Sequence, residues 1–111
     1  KADSSEYFLT PNYDLLNTRF HINEKYGDMA IDLLDDYTST YEAYGYYTYD
    51  DFKTFAKYID LLEIRFNKIM KFIEDSYQEV EILIDKSFLS PKAKEFYKES
   101  YKDRMKRLRL K

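Results

Sequence analysis

The sequence predicts an all-α protein: an elongated antiparallel three-helix bundle, built as a single domain over residues 1–111. Three observations lead there. Breakers are scarce, with two glycines and two prolines in 111 residues, so the elements must be few and long. Apolar residues recur in three- and four-residue steps, the spacing of one helix face. The breakers that do occur stand where helices start or stop, as in Thr10-Pro11, Gly45 and Ser90-Pro91.

Residues 1–10 read as a flexible polar lead, with KADSSE at its head. The first helix is expected over about 11–44, with Thr10 as N-cap and Pro11 at the first helical position, where the missing N–H costs nothing. Its apolar positions are Leu16, Phe20, Tyr26, Met29, Ala30, Leu33, Leu34, Tyr37, Tyr41 and Tyr44. Gly27 marks a kink or break, and Gly45 is placed to end the helix in a left-handed conformation.

A long central helix is expected over about 49–88. Thr48 can cap it, Asp50 and Asp51 lie in its first turn where the helix dipole favours anions, and Asp51 at the third position completes a capping-box-like pair. Phe52, Phe55, Ile59, Leu62, Phe66, Ile69, Ile73, Val80 and Leu83 form a heptad seam of the coiled-coil kind, interrupted by Ser76. Ala56, Met70, Tyr77 and Ile84 form a neighbouring stripe, which widens the face enough to touch two helices. From Phe52 to Phe88 such a rod runs about 55 Å. The third helix is expected over about 91–109, with Ala93, Phe96, Tyr97, Tyr101, Met105 and Leu108 inward and lysines and arginines outward. Short linkers at 45–47 and 89–90 make neighbours antiparallel.

The catalytic inventory is nearly empty. No cysteine is present, which excludes disulfides, thiolate metal sites and thiol chemistry. His21 is the single histidine and has no nucleophile or carboxylate locked beside it by spacing. Asp32, Asp35 and Asp36, and Glu74, Asp75, Glu79 and Glu81, are carboxylate clusters without the histidines of a di-iron bundle or the glycine of a calcium loop. Two glycines cannot build a phosphate-cradling loop. The expectation is a non-enzymatic protein with no metal and no cofactor. No apolar run approaches the ~20 residues of a membrane span.

Charge is polarised along the chain. The formal net charge is −3, divided as −7 over residues 1–50, −2 over 51–91 and +6 over 92–111. The basic third helix, carrying Lys94, Lys98, Lys102, Arg104, Lys106, Arg107, Arg109 and Lys111, reads either as counter-charge to the acidic half or as a grip for nucleic acid or an anionic membrane surface. Asp28, Asp32, Asp35, Asp36 and Glu42 offer a further alternative, an acidic inhibitor that mimics DNA.

Six tyrosines crowd residues 37–49, in YTSTYEAYGYYTY. Tyr37, Tyr41 and Tyr44 are expected on the inner face. Tyr46, Tyr47 and Tyr49 fall at the turn and, with Tyr58 and Phe72 off the main seam, are the candidate partner-binding residues, since tyrosine contributes contact area at small entropic cost.

The leading expectation is therefore a helical interaction module that binds a protein partner through the aromatic turn or a long helix face, with a homo-oligomer through the central helix left open. Thirteen lysines and thirteen tyrosines against five alanines point to an AT-rich genome, such as that of a low-GC bacterium or its phage. The start at Lys1 and the polar lead fit the soluble part of an exported or envelope-anchored protein, and fit a cloning junction equally.

Overall fold

A computed structural model of the protein describes residues 10–13, 17–21, 29 and 32–109. Its described residues form helices and no strand. A short 3-10 turn, Thr18–Phe20, precedes five helices: α1 (Ser39–Tyr44), α2 (Tyr49–Tyr58), α3 (Glu63–Asp75), α4 (Tyr77–Lys86) and α5 (Pro91–Arg107). Each helix packs on the next in sequence, and the 3-10 turn closes onto α5. The all-α class thus holds, while the three long helices become five.

The expected first helix, 11–44, is replaced in its described parts by irregular chain, the 3-10 turn and the short α1. Residues 10–13 are exposed and non-helical. The Thr10-Pro11 signature has no buried face behind it there, and a cap without packing does not hold a helix in water. Residues 32–38 are irregular because polar side chains capture their backbone and carboxylates. The Leu33 N–H donates to the Tyr47 hydroxyl at 3.1 Å rather than to a helical carbonyl. Tyr47 donates in turn to Asp32 at 3.4 Å, and Tyr58 donates to Asp35 at 3.3 Å. These are bonds from tyrosines 14 to 23 residues away, so a tertiary contact takes the place of the helical ladder here. Leu16, Tyr26, Gly27, Asp28 and Ala30 lie outside the described residues.

Helix α1 starts at Thr38, whose hydroxyl accepts from the Tyr41 N–H at 3.1 Å, and ends at Gly45 with φ 70°, as its sequence position implies. The α2 start holds the expected capping box. Asp51 accepts from the Thr48 N–H at 2.7 Å and from the Thr48 hydroxyl at 2.8 Å. The same carboxylate also accepts from the hydroxyl of Thr38. Asp51 is 1% exposed, so one buried carboxylate joins the caps of two helices. Three donors and the α2 dipole offset the cost of removing its charge from water.

The central rod expected over 49–88 is interrupted after Tyr58. Asp60 takes a left-handed conformation at φ 55°. The Leu61 N–H reaches back to the Ala56 carbonyl at 2.8 Å, and the Asp60 N–H to that of Lys57 at 3.1 Å. That pair of bonds is a Schellman cap, with aspartate where glycine is commonest, and Leu61 seals it by packing onto Ala56. The second discontinuity is milder. Ser76 remains in the right-handed helical region (φ −75°, ψ −5°), but its hydroxyl bonds the Phe72 carbonyl at 2.8 Å beside its own N–H at 3.1 Å. Such back-bonding bends a helix without ending it, so α3 and α4 continue as one bent rod of about 36 Å.

The third helix matches its expected span closely. Ser90 accepts from the Ala93 N–H at 3.3 Å, Pro91 opens α5, and Arg109 at φ 57° follows its end. The core is small. Ala56, Phe66 and Met70 form its centre, with Tyr49, Phe52, Leu61, Ile73 and Leu108 packed around them. Leu108 carries the end of α5 back onto the α2–α3 corner. Met105 is the largest apolar side chain buried almost completely. The radius of gyration is 16.8 Å, against about 13 Å for a compact domain of this length.

Two substitutions test this account by chemical denaturation. Asp51→Ala strands the buried Thr48 N–H and both threonine hydroxyls and is expected to cost about 2–4 kcal/mol. Asp60→Gly is expected to stabilise by about 0.5–1 kcal/mol, by relieving the left-handed backbone. In an uninterrupted helix that glycine would destabilise by about 0.3 kcal/mol, so the sign of the change distinguishes the two architectures.

Candidate interaction surfaces

The tyrosine turn is assembled by the two linked caps and is mostly taken up by the fold. Tyr47 is buried, with its hydroxyl held between the Leu33 N–H and Asp32. Tyr41 packs between Tyr37 and Tyr47, each ring centroid at 4.5 Å. Tyr46 is half-buried under the Arg107 guanidinium, which sits 4.2 Å above its ring, a cation–π contact. Tyr49 packs edge-on against Phe66 at 5.4 Å. The expected division therefore holds at Tyr41 and fails at three other tyrosines. Tyr37 and Tyr44, assigned from periodicity to the inner face, are exposed, and Tyr47 is internal. The reason is the loss of the first helix: without a continuous 3.6-residue period, the face assignment has no frame. Tyr58 and Phe72 do lie on the surface, at 71% and 72% exposure.

The basic helix is largely occupied by ion pairs. Lys98 meets Asp85 at 2.7 Å, Arg107 meets Asp103 at 2.7 Å, and Arg109 meets Asp50 at 2.6 Å across to α2. Asp103 also holds Arg19 at 3.1 Å, which pins the 3-10 turn to α5. Lys94 donates to the Asp85 carbonyl at 2.6 Å. Asp85 raises the pKa of Lys98 above its ordinary value, chiefly through their hydrogen bond. Lys102 and Lys106 face solvent, and Arg104 is half-buried and engaged. Asp32, Asp35, Asp36 and Glu42 are exposed, but the first two accept from tyrosine hydroxyls. Lys111 and Asp28 lie outside the described residues.

A cleft of about 520 Å³ lies along α4 and α5, lined by Glu81, Asp85, Glu99, Lys94, Lys98 and Lys102 among others. It mixes charges of both signs that pair across it. A notch of about 350 Å³ lies beside Phe20, Ala93 and Phe96, where Phe20 meets Phe96 edge-on at 5.6 Å and His21 at 5.5 Å. Among the described residues no group of three or more His, Cys, Asp or Glu side chains could hold a metal ion, and no helix is long and apolar enough to cross a membrane.

The most distinctive surface is on the α3–α4 rod. The heptad seam divides into two columns. Phe66 and Ile73 turn toward the core with Met70 and Ile84. The other column, Leu62, Ile69 and Leu83 around Ser76, faces outward, at 64%, 49% and 62% exposure, with Phe72 beside it. Leu62, Ile69, Ser76 and Leu83 recur every seven residues, so they share one flank of the rod. Phe72 is among the partner-binding candidates of the sequence, whereas Leu62, Ile69 and Leu83 belong to its heptad seam, which the sequence leaves to be covered within the chain or by a second copy. The structure shows that the chain turns at Asp60 and that α2 packs on the Phe66–Met70 side of α3. No protein-family model, curated protein or solved structure matches the chain.

Alkaline titration tests the tyrosine placement. Burial, followed by the Asp32 charge and hydrogen bond, raises the Tyr47 pKa above 10.0, against the Leu33 N–H, which lowers it. Burial likewise raises Tyr77, beside Glu81, and Tyr101. A raised pKa means the fold prefers the neutral phenol. The stabilisation is complete below the unfolded value of 10.0 and is lost as pH rises above it. Absorbance at alkaline pH is expected to show a late class of phenols that ionise together with unfolding, and Tyr47→Phe is expected to shrink it. A single class titrating at the ordinary value in folded protein contradicts the placement.

Proposed function

We propose that the protein is a non-enzymatic helical interaction module that binds a protein partner through the exposed flank of the α3–α4 rod. The observation that supports this reading is the divided seam. Leu62, Ile69, Phe72 and Leu83 are exposed along one flank of a rod whose other flank is packed. Monomeric soluble proteins rarely leave such a stripe uncovered, and a stripe rimmed by charges is the usual form of a binding surface. The position is favourable, because ordered side chains on a helix face lose little further freedom on binding. Tyr58, exposed with its hydroxyl held by Asp35, is a second aromatic contact in this reading. The ion pairing of Lys98, Arg107 and Arg109 supports the basic helix as counter-charge and weakens its claim on nucleic acid.

The reading is tested by Ile69→Ser and Phe72→Ser. Both side chains are about half or more exposed, so helix content and denaturation midpoint are expected to stay near those of the parent. Each substitution is expected to weaken retention of a partner from an extract of the source cells by about 1–2 kcal/mol. Lys102→Glu with Lys106→Glu, on the basic helix, is expected to leave retention unchanged. Equal retention by parent and apolar-flank variants would remove the reading.

A further inference from the structure

We infer that the partner of the α3–α4 flank is a second copy of this chain, seated antiparallel across a two-fold axis at Phe72. The inference rests on the reading of that flank as a binding surface and adds the identity of its occupant. It is carried by a charge pattern that the fold places beside the apolar column.

Arg65, Phe72 and Glu79 recur every seven residues and are all exposed. They therefore stand in one column on the bent rod, with opposite charges at equal distances from a central aromatic. Arg65 and Glu79 are separated by about 21 Å of helix. Lys68 and Asp75, about one helical turn on either side of Phe72, carry the same order of signs and are also exposed, with Asp75 held by Lys71 at 3.1 Å. The flank is basic before Phe72 and acidic after it.

A surface of this kind is complementary to itself under a two-fold rotation. Turning one rod end over end about Phe72 sets Arg65 of each copy beside Glu79 of the other. It also sets Leu62 against the Ile82–Leu83 end and brings the two Ile69–Phe72 pairs together at the centre. Each contact occurs twice, as an isologous interface requires. A parallel arrangement sets Arg65 against Arg65 and Glu79 against Glu79, which like-charge repulsion disfavours. Lys86 continues the column at the end of α4, but its mirror position falls before the first residue of α3, so it adds no clash of like charges. The rod offers a contact about 36 Å long and one helix wide, less than the ~800 Å² per partner of a standard interface. An interface of that size is of the weak, transient class.

Sedimentation equilibrium of the full chain at low ionic strength, over about 5 to 500 µM, tests this. The parent is expected to dimerise across that range and Phe72→Glu to remain monomeric. Arg65→Glu and Glu79→Arg are each expected to raise the dissociation constant about tenfold, and the double exchange to return it close to the parent value. A parent that stays monomeric, a dimer indifferent to Phe72→Glu, or charge variants without rescue would each overturn the inference. A monomeric parent whose capture of another protein still depends on Ile69 and Phe72 overturns self-pairing alone. A monomeric parent whose capture is indifferent to both overturns the binding surface as well.

Discussion

The fold turns on a single carboxylate. Asp51 is removed from water and holds the Thr48 N–H together with the hydroxyls of Thr48 and Thr38. Thr38 is itself the N-cap of α1, so the starts of two helices share one acceptor. The segment from residue 32 to the start of α2 is referred to this point. The irregular strap over 32–38 reaches α1 through Thr38, Tyr47 is presented to Leu33 and Asp32 by the turn between the helices, and Tyr41 is clamped between its neighbours. A buried charge with fewer donors would be costly. With three, it orders a segment that has little apolar surface of its own.

The second organising element is the Schellman cap at Asp60. It converts one long amphipathic helix into a corner, α2 against α3, and so decides how much of the seam is buried. Phe66 and Met70 gain Ala56 as a neighbour, and Leu108 closes the corner from α5. The column containing Leu62, Ile69 and Leu83 gains nothing, because a short α2 covers one flank only. The exposure of Leu62 and Ile69 and the packing of Phe66 and Met70 thus both follow from the turn at Asp60.

Electrostatics follow the same geography. The acidic first half and the basic tail meet through Arg109–Asp50, so the strong polarity of the sequence is partly neutralised within the fold, while Arg19–Asp103 joins the minority charges of the same two regions. Exposed pairs of this kind contribute little stability individually; their effect is on which surfaces remain charged. Around Phe72 the residual charges are ordered by sign along the rod, and it is there, rather than on α5, that charge pattern and apolar exposure coincide.

The sequence by itself determined the helical class, the caps at Thr48–Asp51 and Ser90–Pro91, the stop at Gly45 and the whole of α5. These depend on local spacing and on hydrogen bonds that close within one turn. It misjudged the region before α1, where periodicity suggested a helix but long-range bonds from Tyr47 and Tyr58 captured Leu33, Asp32 and Asp35. It also missed the break at Asp60, since aspartate seldom marks a left-handed cap and the apolar period runs straight across it. Only the tertiary structure decided which tyrosines are internal and which column of the seam is left uncovered. The physical reason is that periodicity specifies which residues share a face, whereas the covering of that face depends on where distant segments fold back.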